Sequence, residues 1–175
     1  MKKRHYLSAA MLSLIAGGAS QSDLMSKFQK EKEGARYTSY KDGVGIWTIC
    51  GGLTHVDGKP VKAGQTIDPD RCEELDRQEQ AKALDWVDAH ITVPLSHVQK
   101  VGIASFCPWN IGPEKCFGST FFKLINEGRQ REACDEIVRW VNDGGKDCRK
   151  ADSGCRGQVI RREQERELCL WGLRE

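Results

Sequence analysis

The 175-residue sequence predicts an α+β fold: one helix, then a small antiparallel sheet, then a larger helical lobe. Three observations carry this reading. Apolar residues recur at helical spacing near the start, turn dipeptides among β-forming residues crowd the stretch from Gly34 to Gly64, and helical spacing returns from Asp68 to the end. From Ser22 to Lys32, Leu24, Met25 and Phe28 share one helical face, with Ser22 as N-cap and the helix ending near Gly34. Between Gly34 and Gly64, Tyr, Thr, Ile and Trp are punctuated by DG, GVG, GG and DG, the pattern of short strands and hairpin turns. Downstream, Leu84, Val87 and Ile91 share a face, Ser119 opens a helix closed by Gly128, and Ala133, Ile137 and Val141 mark another. The last helix is expected from about Gln158 to Trp171, with RREQERE as its wet face.

Composition narrows the class. A mean hydropathy of -0.56 with 30% charged residues excludes a polytopic membrane protein, while 39% hydrophobic residues, including five Trp, suit a packed core. The net charge of +2 comes from the amino terminus, where three of the 27 Lys and Arg stand at positions 2 to 4 and no acid occurs before residue 21. The remainder holds 24 bases against 25 acids, so no basic surface is concentrated for phosphates and no nucleic-acid partner is expected.

Residues 1–20 combine Lys2, Lys3 and Arg4 with a weakly apolar run from Tyr6 to Ser20. As a helix that run spans about 22 Å, short of the roughly 30 Å hydrocarbon core. It reads either as a signal peptide with Gly17 and Ala19 near its cut site or as a weak uncleaved anchor. Either reading exports the chain, leaving 21–175 as one domain with a small β subdomain at about 34–65 and a helical lobe at about 66–175. Eight Cys without zinc spacing agree with export and form a disulfide framework. Eight Cys permit 105 connectivities, so spacing guides weakly. Cys148 and Cys155 bracket RKADSG, Cys107 and Cys116 bracket PWNIGPEK, and the remaining four pair in order, Cys50 with Cys72 and Cys134 with Cys169.

The sequence lacks GxSxG, HExxH and Walker A patterns, and the His at 5, 55, 90 and 97 form no ligand spacing, so neither metal nor cofactor is expected. Carboxylate chemistry remains. Glu33 ends the first helix, Asp42 follows eight intervening residues at the first hairpin turn, and Thr48 follows five more in the next strand. Such a placement puts one acid on each side of a cleft between helix and sheet, as glycoside hydrolysis requires. Taken singly, a Glu at a helix end and an Asp before Gly are ordinary surface residues.

At these residues the sequence resembles the phage-type lysozymes, or endolysins, whose signature is Glu, eight residues, Asp, five residues, Thr. The likeness extends through GIWTIC, ASFCPWNIGPEKCFGST, CDEIVRW, DGGKDC and RREQERELCLWG, covering about residues 22 to 172. It implies a lysozyme-like fold with the same Cys pairing, and a muramidase that cuts the β-1,4 bond between N-acetylmuramic acid and N-acetylglucosamine, lysing the host. By that resemblance Glu33 is the general acid, Asp42 the ionised stabiliser and Thr48 the holder of the water, with Asn110 a candidate sugar contact. Inversion is implied, with carboxylates about 6.5 to 9.5 Å apart. Partial burial and the negative neighbour Asp42 are expected to keep Glu33 protonated. One departure is Leu53 where relatives have His, with His55 displaced by two.

The resemblance also implies a signal-anchor-release segment at residues 6–20, held in the inner membrane and then freed into the periplasm of a Gram-negative host. Some relatives release by thiol exchange from that segment. Here the first Cys is Cys50, so release by conformation is expected, with residues 1 to about 30 repacking to place Glu33. The partner is peptidoglycan, and a monomer is expected. Rival readings are a lytic transglycosylase, which forms an anhydro sugar, and an inactive peptidoglycan-binding module.

Overall fold

The computed structural model describes residues 6–43 and 45–173. The positive cluster Lys2, Lys3 and Arg4, and His5, lie outside the described residues. The chain opens with α1 (Ala9–Ala16) and α2 (Gln21–Glu33), followed by β1 (Arg36–Lys41), β2 (Trp47–Cys50), β3 (His55–Val56) and β4 (Lys59–Pro60). The helical lobe holds α3 (Pro69–His90), α4 (His97–Ala104), a π-helical turn (Ser105–Ile111), α5 (Pro113–Phe117), α6 (Thr120–Asn126), α7 (Gln130–Glu136) and α8 (Arg156–Cys169). Between α7 and α8 lies a hairpin of β5 (Asn142–Asp143) and β6 (Lys146–Asp147).

Several boundaries differ from the sequence expectation for local reasons. Ser20, not Ser22, caps α2, because its hydroxyl accepts from the Asp23 amide at 3.1 Å. The β region is not one sheet but two ladders, β1 with β2 and β3 with β4, and an isolated bridge from Thr38 to Thr66 links β1 to the segment before α3. The β5–β6 hairpin was not expected; Gly144 (φ +53) and Gly145 (φ +80) form its turn in the DGGK segment. PWNIGPEK is mostly helical: the π-helical turn runs through Pro108 to Ile111, and α5 begins at Pro113 after Gly112. Val141 is buried but lies beyond the end of its helix.

Two apolar clusters hold these elements. The larger joins Phe28 of α2, Leu84 and Val87 of α3, Phe106, Phe121, Ile125, Ile137 and Leu168. The smaller, under the hairpins, contains Ile49, Cys50, Leu53, Val61, Cys72 and Leu75. The apolar amino-terminal run belongs to the larger cluster: Met11 is fully buried, Leu7 is buried, and Gln164 donates to the Tyr6 carbonyl at 2.7 Å. Among the described residues no helix is long and apolar enough to cross a membrane.

All four disulfides pair as read, Cys50–Cys72, Cys107–Cys116, Cys134–Cys169 and Cys148–Cys155, with Cα separations of 5.6, 5.3, 5.6 and 4.9 Å, within the span a disulfide bridges. The expected wet face of α8 is wrong. Arg161, Arg162, Gln164 and Glu165 are buried, because α4 and α8 pack with almost no gap at Gly102, where a Cβ would stand 2.7 Å from the Glu165 carbonyl oxygen. That contact brings Ser105 against Glu165.

Candidate active site

Glu33 is the last residue of α2, which stops there because Gly34 takes φ +66, a conformation glycine adopts without Cβ strain. Its carboxylate is about one-third exposed at the mouth of a cleft of about 770 Å³. Asp42 lines the same cleft from the turn after β1. Local bonds fix it there: its Oδ1 accepts from the Ile46 amide at 2.8 Å, and its own amide donates to the Ile46 carbonyl at 2.9 Å. Thr48 is buried and is not among the residues that line the cleft; its hydroxyl donates to the Ile46 carbonyl at 3.1 Å. Leu53, buried, and His55, exposed, continue the β wall, with His55 Nδ1 3.1 Å from the Thr54 hydroxyl. Trp86, Trp109 and Asn110 form the helical wall.

The group in contact with Glu33 is not the expected Asp42 but Arg161 of α8, whose Nη1 donates to Glu33 Oε1 at 2.5 Å. Arg161 also donates from Nε to Glu165 Oε1 at 3.0 Å and from Nη2 to Gln29 Oε1 at 2.9 Å. Glu165 Oε1 accepts in addition from Ser105 Oγ at 2.6 Å, and its Oε2 pairs with Arg162 Nη1. Arg162 reaches on to Asn110 Oδ1 and the Trp140 carbonyl, and lies over the Phe106 ring. Asn110 thus lines the cleft with its Oδ1 held by Arg162.

Burial opposes the Arg161 charge, but the Glu165 and Glu33 carboxylates outweigh it and hold its pKa above the usual arginine value. Lys32 is lowered, chiefly by burial and against the attraction of Glu31. Asp76 of α3 accepts from the Gly51 amide at 3.1 Å, and burial pushes its pKa up to about 6. Cys50, with φ +57, turns the chain at the end of β2 so that Gly51 meets Asp76 and the Cys50–Cys72 bridge ties β2 to α3. Among the described residues no group of His, Cys, Asp and Glu is arranged to hold a metal.

Sequence reasoning brought Glu33, Asp42 and Asn110 to one cleft and missed the ion cluster behind it. A signal existed: Arg161, Glu165, Leu168 and Cys169 recur at i, i+4, i+7 and i+8, the spacing of a buried stripe rather than a solvated face.

Residues 30–165, most of the chain and every residue named above as lining the cleft, match the phage lysozyme family. The chain belongs to the phage lysozyme family. It is 53% identical over 172 residues to the SAR-endolysin of Escherichia phage 933W, covering 98% of this chain and 97% of that protein. It is 51% identical over 174 residues to a probable prophage lysozyme of Escherichia coli strain K12, covering 99% and 98%. Among solved structures, a variant of P22 lysozyme superposes with a TM-score of 0.68 at 31% identity, covering 83% of this chain and 94% of that one. The lysozyme-like α+β fold follows from these likenesses, and membership of the phage lysozyme family makes the chain a glycosidase.

Proposed function

We propose that the chain is an exported muramidase that hydrolyses the β-1,4 bond between N-acetylmuramic acid and N-acetylglucosamine in peptidoglycan, lysing the host cell. The carrying observation is that Glu33 and Asp42 line one cleft from different elements, the end of α2 and the turn after β1. Glu33 donates a proton to the glycosidic oxygen, and the C1–O bond breaks as positive charge grows on the ring. Asp42, ionised, stabilises that charge and orients a water held with Thr48. Water adds from the face opposite the leaving group, inverting the anomeric carbon, and Asn110 contacts the sugar. The chain's own carboxylates and water complete this reaction.

Mass analysis of the products tests the chemistry. Reducing-end muropeptides that carry one added water are expected, and their first-formed anomer read by NMR reports inversion. Anhydro sugars would instead make the protein a lytic transglycosylase, and no products at all an inactive binding module.

We further infer that residues 6–20 hold the chain in the inner membrane before it is freed to the periplasm, a reading supported by relatives named SAR-endolysins. Burial of Leu7 and Met11 in the folded core supports an uncleaved segment, because cutting after Ala19 would remove both. Ala9, Ala10, Ser13 and Ala16 are exposed on α1, so their joint replacement by Leu strengthens insertion while sparing the core. That variant should stay membrane-bound and non-lytic. A periplasmic product beginning near Ser20 that lyses normally overturns the anchor.

A further inference from the structure

The reaction drawn above leaves Glu165 without a role, although its side chain is wholly buried and surrounded by two guanidiniums. A buried ion cluster is rarely a cheap way to hold a fold, since apolar residues of like volume often serve as well. An apolar side chain at 165 would satisfy the α4–α8 contact. The carboxylate instead makes three charge-assisted or hydroxyl contacts, to Arg161, Arg162 and Ser105. Arg161 lies between Glu165 on its Nε side and Glu33 on its Nη1 side.

We propose that Glu165 is a positioning residue for the acid Glu33: by sharing the Arg161 guanidinium it fixes that cation's direction and limits its hold on the Glu33 carboxylate. The inference rests on the reading of Glu33 as the acid. A guanidinium is a rigid fork, so anchoring Nε and Nη2 to Glu165 and Gln29 determines where Nη1 can point. With Glu165 neutral, Arg161 would keep one anionic partner, Glu33. The undivided cation would then favour the ionised carboxylate, the form that cannot donate a proton. Other charges reach the pair through space: Arg162 from α8, Lys32 of α2 with Glu31 beside it, and Asp76 of α3. Ser105 and Asn110 of the π-helical turn face the cluster as neutral groups.

The test is the pH dependence of kcat and KM on soluble peptidoglycan fragments for the full chain, Glu165→Gln and Glu33→Gln, with all four disulfides verified. The acid must be protonated, so activity falls as pH rises through its pKa. Glu165→Gln should move that alkaline limb down by about one pH unit, with KM unchanged. A loss of rate that is uniform across pH, or an unmoved limb, would mean that Glu165 only packs, and overturns the proposal. Should Glu165→Gln not fold, Glu165→Asp keeps the charge but is a methylene too short to hold both guanidiniums. It should move the limb the same way by about a third of a unit or more, and an unmoved limb there overturns the proposal equally. Glu33→Gln separates the two claims: if it is inactive while the limb stays put, only the role of Glu165 fails, whereas if it stays active the reading of Glu33 itself fails.

Discussion

The two walls of the cleft hold their carboxylates by different physics. Asp42 is fixed within five residues of chain, through backbone and side-chain bonds to Ile46, over a small apolar cluster. Glu33 is fixed by Arg161, 128 residues away, within a buried network that reaches Glu165, Ser105 and Gln29. One wall is a local turn that any short peptide partly encodes, and the other exists only when α2, α4 and α8 are packed together. The β wall should therefore respond to changes nearby, and the helical wall to changes far off in sequence.

The largest expected effect breaks the comparison at the acid itself. Glu33→Gln keeps the shape of the Arg161 contact but cannot protonate the leaving oxygen, so turbidity clearing should slow by about two to four orders of magnitude with the fold intact. Asp42→Asn retains the Oδ1 acceptor for Ile46, so the turn survives while the charge facing the cation-like ring is lost, for a drop of about one to two orders. Thr48→Ala should lower kcat by about tenfold with KM held, since the water rather than the sugar loses its partner. Near wild-type clearing by Glu33→Gln would remove that residue from the mechanism.

This division also explains what was legible in the sequence. The turns of the β wall could be read because their glycines act over a few residues, and the end of α2 could be read from Gly34, whereas Asp42 and Thr48 are singled out by the family signature. That the cysteines pair was legible from compartment and from the absence of zinc spacing, but spacing guides the connectivity only weakly, and the family resemblance implies the same four bridges. Arg161 and Glu165 were misread as solvated because charged side chains usually are, and only the packing of α8 on Gly102 makes that face interior. The amino-terminal run was read as apolar, but its seat in the core through Met11 depends on tertiary contacts that no local pattern records.

Disulfide removal sharpens the contrast at the level of stability. Cys134–Cys169 closes 35 residues inside the helical lobe, and Cys50–Cys72 closes 22 across the joint between β2 and α3. Loop-closure entropy gives about 4 and about 3 kcal/mol for the paired Cys→Ser changes. The first should lower the denaturant midpoint most and leave kcat of the folded protein unchanged. The second should lower kcat several-fold as well, because the hairpin bearing Asp42 and Thr48 loses its tether. Equal kinetics in both variants would show that the β wall's own bonds suffice.

The smallest expected effect lies where the walls meet, at Asp76. Burial raises its pKa to about 6 from the ordinary 3.8, while the Gly51 amide and Lys30 work the other way. Between those values the folded protein keeps a proton that the unfolded chain has released. Stability from this group therefore falls as pH rises from about 4 to about 6 and is level above it. Asn at this position still accepts from Gly51 but carries no charge to bury. Asp76→Asn should match the parent near pH 4 and gain about 1–2 kcal/mol above pH 6, a figure reduced from the full linkage value because the carboxyl is only partly buried. Urea melts at pH 4, 5, 6 and 7 would read the divergence. Parallel curves would show that burial does not govern this carboxyl. A gain in stability accompanied by lost activity would show that the joint, and not the two walls separately, sets the geometry of the cleft.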